Sequence, residues 1–373
     1  MKKNLKDTHG FLRNKRHLYF QKNFKLDLDF ERLKKFQKFK TIVIIGMGGS
    51  ILGAKAIKNF FEDRVKKKFI FLDNLDYIKI NNLKINHNLK QMLFLVISKS
   101  GNTLETLSIL KILKRKNLSQ KNTIIITEPK DNFLKKFIIQ NKIYKIDHRK
   151  EIGGRFSVLT EVGMLPAYFM NLKIKKFYEG VNKKINFKKG GFKNTLNFLK
   201  KAYERKKYSS IILINYSPRL KHFLYWCQQL FSESLGKNKL GLLPVVSNAP
   251  KDHHSLLQLY LDGPKDKIFY FFFENLNKNS FVSKNKKSSQ KKVYKEITRI
   301  VNSQKDAFKS VLKKKNIPFR EFEVKRFDEK TLGNLFSYFM IETSTLGSLL
   351  KINPFNQPAV EQVKVKTKQI LSK

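Results

Sequence analysis

Five short, almost uninterrupted apolar runs constrain this chain more than any other feature. They are Thr41–Ile45 (TIVII), Met92–Ile97 (MLFLVI), Thr123–Thr127 (TIIIT), Ser210–Asn215 (SIILIN) and Lys267–Phe273 (KIFYFFF). A strand with one face in water alternates apolar and polar residues, whereas a strand covered on both faces by helices reads as a continuous run. The stretches between the runs carry helical spacing instead: over Leu220–Leu235 the apolar residues Phe223, Trp226, Cys227, Leu230 and Phe231 fall on one face. Strands alternating with helices predict an α/β fold built from mainly parallel sheets flanked by helices.

Further strands are expected near 69–73, 143–146, 242–246 and 321–324. Further helices are expected from about Ala54, from Thr103 to about Lys114, and over Leu332–Leu349. The plan occurs twice without visible identity between the halves, so it is a repetition of pattern only. The boundaries expected are a polar, basic segment of helix and loop over 1–36, a first domain over 37–180, a second over 181–350, and a C-terminal segment over 351–373. Lys278–Lys292 is basic and polar and reads as a mobile loop.

With 373 residues, 41% of them apolar, the chain can bury sizeable cores. Its single cysteine, Cys227, cannot form an internal disulfide, and no Cys/His spacing resembles a zinc site. A reducing compartment, no metal and no other cofactor are therefore expected. The basic first twenty residues lack the apolar stretch of a secretory signal. No apolar run reaches the roughly 18–20 residues that span a bilayer. A cytoplasmic chain without a membrane partner is the expectation. The charge of +49 (78 Lys and Arg against 29 Asp and Glu) would suit nucleic acid, yet only 12 of the 78 are arginine, the side chain favoured for bidentate recognition. Lysine, Asn, Ile and Phe are inflated together, as AT-rich codons would produce, so a nucleic-acid partner is not expected. The positive field would still steer small phosphate esters.

Ser98-Lys-Ser-Gly-Asn-Thr103 lies between an expected strand and helix. Its hydroxyls and the amides of a helix N-terminus suit a phosphate monoester. They equally suit ordinary capping, with Ser98 or Ser100 as N-cap and Glu105 in the first turn. Gly46-Met-Gly-Gly-Ser-Ile-Leu-Gly53 permits a tight turn, but it is not the dinucleotide fingerprint, which needs GxGxxG. Gly153-Gly-Arg-Phe-Ser157 suits a guanidinium pointing into a crevice. Glu233 closes an otherwise apolar helix, where desolvation would favour a base. Lys251-Asp-His-His-Ser255 offers two imidazoles in a loop. Singly, each has an ordinary structural explanation.

Taken in order, IGMGGSILG, SKSGNTLET, GGRFS, a helix ending in Gln-Gln, Glu233 and Gly-Lys, a His-x-x-x-Gln segment and Phe355-Asn-Gln-Pro-Ala-Val-Glu-Gln-Val-Lys364 resemble the phosphoglucose isomerase family over roughly residues 41–366. The resemblance implies two tandem sugar-isomerase (SIS) domains and a metal-free aldose–ketose isomerase of glycolysis and gluconeogenesis, acting on glucose 6-phosphate. It also implies a homodimer with a shared active site. Position by position, it implies phosphate binding by Ser50, Ser98, Lys99, Ser100 and Thr103, a charge-stabilising Arg155, Glu233 as base, and His254 as the ring-opening residue. Gln357 would touch substrate and Lys364 would complete the site. His254 is preferred to His253 because Gln258 follows it by four, and the apolar stretch Leu256–Leu261 suits an interface. Asn356, Pro358 and Ala359 depart from the family's Phe-Asp-Gln-x-Gly-Val-Glu pattern. The alternatives are an isomerase of another phosphosugar, mannose 6-phosphate included, and a non-catalytic sugar-phosphate-binding protein, which would not need Glu233, Arg155, His254 and Lys364 together.

Overall fold

The computed structural model describes residues 19–20, 24–113, 117–181, 190–205, 207–274 and 288–372. They form two compact units. The first takes residues 1–183 together with Ser217–Trp226 and Val324–Ser337, and the second takes the remainder. The units are thus not the consecutive blocks 37–180 and 181–350. Two later stretches join the first unit: Trp226 meets Phe336 edge-to-face at 4.8 Å, linking the two stretches to each other, and Phe327 lies 4.5 Å from Phe60 of the earlier part.

The first unit holds a five-stranded sheet in the order β2-β1-β3-β4-β5, formed by β1 (Thr41–Ile45), β2 (Lys68–Leu72), β3 (Met92–Ile97), β4 (Thr123–Thr127) and β5 (Tyr144–Asp147). Every pairing is parallel, with Thr41 opposite both Lys68 and Met92. All residues of β3 and β4 are buried, while the edge strands β2 and β5 are mostly half-buried. That explains the two kinds of run: central strands are covered on both faces, and edge strands tolerate lysine. Val43, Ile45, Phe94, Val96 and Ile125 form one continuous core with Ile109 and Leu110 of helix Leu104–Ile112 and Leu134 of helix Phe133–Asn141. Burying each such side chain contributes about 1.5–3 kcal/mol. Of the N-terminal segment, helix Phe30–Lys34 is described, with Asp29 as its cap; residues 1–18 lie outside the described residues.

The second unit holds a four-stranded sheet in the order β7-β6-β8-β9, from β6 (Ser210–Asn215), β7 (Leu243–Asn248), β8 (Lys267–Glu274) and β9 (Phe319–Val324). β6 pairs in parallel with both β7 and β8. Helix Lys221–Leu235 starts one residue after the expected Leu220, whereas Glu329–Leu349 starts three residues before the expected Leu332. The cause is Asp328, whose carboxylate accepts the Thr331 N–H at 2.7 Å and so caps the earlier start. The expected basic loop is cut short: helix Ser288–Lys314 includes 288–292, and 278–287 lie outside the described residues. Among the described residues, no helix is long and apolar enough to cross a membrane.

One backbone approach in the first unit positions the site. The turn Gly48–Ser50 after β1 presses against the turn Gly154–Leu159, so closely that a Cβ on Gly49 would lie 2.1 Å from the Gly154 carbonyl carbon. A Cβ on Gly154 would meet nothing nearer than 3.6 Å. The requirement is one-sided. Gly49→Ala should therefore lower the unfolding free energy by about 1–3 kcal/mol through overpacking, while Gly154→Ala stays within about 0.5 kcal/mol of the wild type. Denaturant midpoints of the two variants check this, and equal losses would count against the asymmetry.

Candidate active site

The strand order of the first unit reverses at β1: the chain leaves it for β2 on one side and returns to β3 on the other. Loops after β1 and β3 therefore diverge and leave a crevice at the carboxyl ends of the strands, the usual ligand position in such sheets. Ser50 follows β1 and Ser98 follows β3. A Cβ on Gly46 would lie 3.0 Å from both the Ser50 Cβ and the Ile97 carbonyl oxygen, so the two segments start side by side.

Within Ser98–Thr103 three hydroxyls converge. Ser98 Oγ and Thr103 Oγ1 are hydrogen-bonded at 2.9 Å, and Ser100 Oγ lies 3.3 Å from Thr103 Oγ1. Ser100 Oγ also accepts the Asn102 N–H at 3.2 Å. Thr103 occupies the N-cap position of helix Leu104–Ile112, yet its side chain caps no helix N–H. Elsewhere in the unit Asp29, Asp76, Asn132 and Thr160 all accept such a bond. Capping by Ser98 or Ser100 is thus not what this loop does: the hydroxyls gather with one another at a helix start whose first amides they leave uncapped. The loop is held from below. Gly101 adopts φ +69°, and a Cβ there would lie 2.1 Å from Asn132 Oδ1. Asn102 Oδ1 accepts the Phe133 N–H at 2.9 Å.

Lys99 points elsewhere. Its ammonium donates to the carbonyls of Lys150 (2.9 Å) and Ile152 (3.0 Å) and pairs with Glu128 at 3.5 Å. Burial pulls its pKa below the ordinary lysine value, against the opposing pull of Glu128. The phosphate-ligand role expected of Lys99 meets a side chain already engaged with other groups. Arg155, two residues beyond Gly153, is 1% exposed. A guanidinium that deep is fixed in place and cannot lose its charge. Its turn is closed by Phe156 N–H to the Gly153 carbonyl (2.9 Å) and by the Ser157 hydroxyl to the Gly154 carbonyl (2.7 Å).

In the second unit Glu233 lies half-buried in the last turn of helix Lys221–Leu235 and accepts from Gln229 Nε2 at 2.9 Å. The residues that follow carry a link that sequence reasoning passed over. Lys237 donates to the carbonyls of Ser234 (3.0 Å) and Asn353 (2.7 Å), tying the end of the Glu233 helix to the segment that leads into Gln357. His254 is exposed, and it stands in the first turn of helix His253–Asp262 rather than in a loop. Its neighbour is the fixed one: His253 Nε2 and the Tyr216 hydroxyl are 2.7 Å apart. Leu256, Leu257, Tyr260 and Leu261 pack on their own unit's core, which leaves Leu259 as the exposed apolar residue of the stretch expected to form an interface. Pro358 opens helix Pro358–Leu371, where its fixed φ and missing N–H are harmless, and Ala359 follows within the first turn. The departures at Pro358 and Ala359 are thus absorbed by a regular helix start. Gln357 is the N-cap residue, with a side chain that makes no cap bond. Lys364 is exposed on that helix and pairs with Glu361 at 2.6 Å.

Among the described residues, no group of three His, Cys, Asp or Glu is placed to hold a metal ion. Cys227 is buried, which pushes its thiol pKa up and makes it a poor nucleophile.

Comparison with known proteins decides what these loops belong to. The family model of phosphoglucose isomerase matches residues 31–242. Over 347 residues the chain is 33% identical to a glucose-6-phosphate isomerase of Methanocaldococcus jannaschii, covering 91% of this chain and 86% of that one. It is 32% identical over 365 residues to a glucose-6-phosphate isomerase of Campylobacter jejuni, covering 93% and 89%. The chain belongs to the phosphoglucose isomerase family. In structure it is similar to a protein of Thermus thermophilus described as hypothetical, with a TM-score of 0.79, 26% identity, and coverage of 99% of this chain and 89% of that one.

For this phosphoglucose isomerase family member, residues outside the motifs, Glu128, Asn132, Tyr216 and His148, stand beside the loops, and Lys237, within a motif, has a role that the motif did not convey. Glu128 directly follows β4, and a charged residue at the carboxyl end of a parallel strand was the one signal available for it. His148 directly follows β5 in the same way. It is 2% exposed, its Nδ1 lies 3.0 Å from the Arg149 carbonyl, and its Nε2 meets no hydrogen-bond partner. Burial holds its imidazole down at about 4. The folded chain therefore keeps His148 neutral where the unfolded chain, titrating near 6.5, already binds a proton. Its stabilising contribution is complete above pH 6.5 and is lost as the pH falls toward 4. Between pH 8 and pH 5 this loss is about 2 kcal/mol. Denaturant unfolding at both values should show His148→Gln losing that much less stability than the wild type, and parallel losses would exclude His148 as the source.

Proposed function

We propose that the chain interconverts glucose 6-phosphate and fructose 6-phosphate by ring opening and proton transfer through a cis-enediol. The observation that carries this reading is the likeness, along more than nine-tenths of the chain, to proteins named glucose-6-phosphate isomerase. The residue types present fit that chemistry. The substrate phosphate takes hydrogen bonds from Ser98, Ser100 and Thr103 and from the amides of the helix start at Leu104, with Ser50 alongside. Gln357 holds the sugar. His254, with Lys364 released from Glu361, moves the protons at the ring oxygen and the C1 hydroxyl that open the ring.

Isomerisation then moves one proton between neighbouring carbons. The Glu233 carboxylate removes the proton from C2, the C2–H electrons form the C1–C2 double bond, and the C1 carbonyl oxygen gains negative charge. The same carboxyl group returns the proton to C1, while the C2 hydroxyl proton passes to the C1 oxygen and the C2 oxygen becomes the carbonyl. One carboxylate is enough, because the proton that leaves is the proton that returns. The enediolate needs a cation that cannot surrender a proton to it, and Arg155 meets that condition.

A coupled assay on the purified chain with glucose 6-phosphate tests the reaction, and no turnover would refute it. Glu233→Gln keeps the shape without the base and should lower kcat by about 10²–10⁴-fold. Near wild-type turnover in that variant would mean that another group takes the proton. Ser98→Ala with Thr103→Ala should raise KM for glucose 6-phosphate, each lost bond to a charged group being worth about 1.5–3 kcal/mol. An unchanged KM would return the loop to a purely structural role.

A further inference from the structure

We propose that Lys99 is a positioning residue: its ammonium fastens the hydroxyl loop Ser98–Thr103 to the backbone that launches Gly153-Gly154-Arg155, fixing the phosphate cup and the Arg155 guanidinium relative to each other. The proposal rests on the function proposed above for those two elements. A lysine ammonium has three N–H donors and accepts nothing. At Lys99 three acceptors surround it: the Lys150 carbonyl, the Ile152 carbonyl and the Glu128 carboxylate. Two of its donors are spent on carbonyls, and the third faces the Glu128 carboxylate. The phosphate oxygens are then met by the hydroxyls and the helix amides, none of which the link consumes.

The two ends of the link matter equally. At one end, the backbone of Lys99 sits between Ser98 and Ser100, and its carbonyl accepts the Glu128 N–H at 3.1 Å, so the residue is anchored on both main chain and side chain to the end of β4. At the other end, Lys150 and Ile152 lie within a turn closed by the Ile152 N–H and the Arg149 carbonyl at 3.3 Å, immediately before Gly153. The following turn is in close backbone contact with Gly49. Arg155 is thus located by two neighbouring loops, with Gly49 supplying the contact and Lys99 the tie. Glu128 completes the arrangement by balancing the charge, and it is shared with Lys130 at 2.8 Å. A half-buried ammonium gains from having that carboxylate beside it.

Loss of the tie predicts a specific kinetic pattern. In Lys99→Met the apolar stem remains and the donors disappear, so the turn carrying Arg155 loosens while the phosphate cup keeps its own hydroxyls. A misplacement of about 1 Å at a reacting group costs on the order of 10²-fold. The expected result is a kcat lower by about 10–10²-fold, with KM for glucose 6-phosphate and the inhibition constant of inorganic phosphate both close to wild type. Hydrogen exchange of the Gly154–Ser157 amides should also be faster in the variant. A raised phosphate inhibition constant would overturn the proposal, because it would make Lys99 a phosphate ligand. Unchanged kcat or unchanged exchange would overturn it as well. Should Lys99→Met fail to fold, Glu128→Gln loosens the same tie and must lower kcat without weakening phosphate; failure to do so refutes the proposal. Inactivity of the wild type toward glucose 6-phosphate would instead refute the function, and the exchange measurement would still decide the role of Lys99.

Discussion

The first unit depends on a backbone contact that only glycine permits. Gly49 brings the turn after β1 against the carbonyl of Gly154, and no side chain fits in the gap. Glycine-rich turns after a first strand are usually explained by a ligand that must come close. Here the partner that comes close is the chain itself. Gly49 allows the turn carrying Arg155 to reach back to the loop after β1, which brings the backbone of the buried Arg155 against the segment that holds Ser50. The hydroxyl loop after β3 is tied in by Lys99. Three loops that follow separate strands are in this way held by one another as well as by the sheet.

A chain with 78 basic residues raises the question of which lysines matter. Most are solvated and carry little individual weight. A few serve as backbone staples, since a lysine can reach across a gap and satisfy several carbonyls at once. Lys99 does so for Lys150 and Ile152, Lys237 for Ser234 and Asn353, and Lys67 for the main chain and side chain of Gln37. Each staple holds an irregular segment whose carbonyls have no strand or helix to pair with, which is the requirement that buried loop backbone must meet. A high lysine content is a crude signal for function. Its sites of use become visible only when the acceptors are known.

The strands were legible in the sequence because continuous apolar runs have one simple explanation in a covered parallel sheet, and β1, β3, β4 and β6 agree residue for residue. Helix starts were less legible, because they are set by single side chains: Asp328 moves one start forward by three residues. The family motifs led to Ser98, Arg155, Glu233 and His254, and the structure places Ser98 and Arg155 in neighbouring loops of one unit. What the motifs could not convey is the direction of a side chain. Lys99 stands inside the motif and turns away from the hydroxyls on either side of it, toward carbonyls some fifty residues later in the chain. His254 lies on a helix, not in a loop, since the chain from His253 to Asp262 can wind without interruption once His253 is held by Tyr216. Long-range partners of this kind leave no local pattern.

Thr103 shows how local stability and binding compete. An N-cap side chain that bonds its own helix contributes about 1 kcal/mol, and Asp29, Asp76, Asn132, Thr160 and Asp328 in the first unit use that bond. Thr103 has the right residue type in the right position and gives its hydroxyl to Ser98 and Ser100 instead. The helix start at Leu104 is left with amides that no side chain caps, and the positive end of the helix dipole faces the same place. A dianionic phosphate satisfies those amides better than a neutral hydroxyl does, because a charge-assisted bond is about twice as strong as a neutral one. In the phosphate-binding role proposed for this loop, the stability withheld from the free chain is returned when the anion binds, and it appears as affinity. Under the proposed function, the preference for a phosphorylated sugar over the free sugar resides in what this loop leaves unsatisfied, as much as in the groups that it presents.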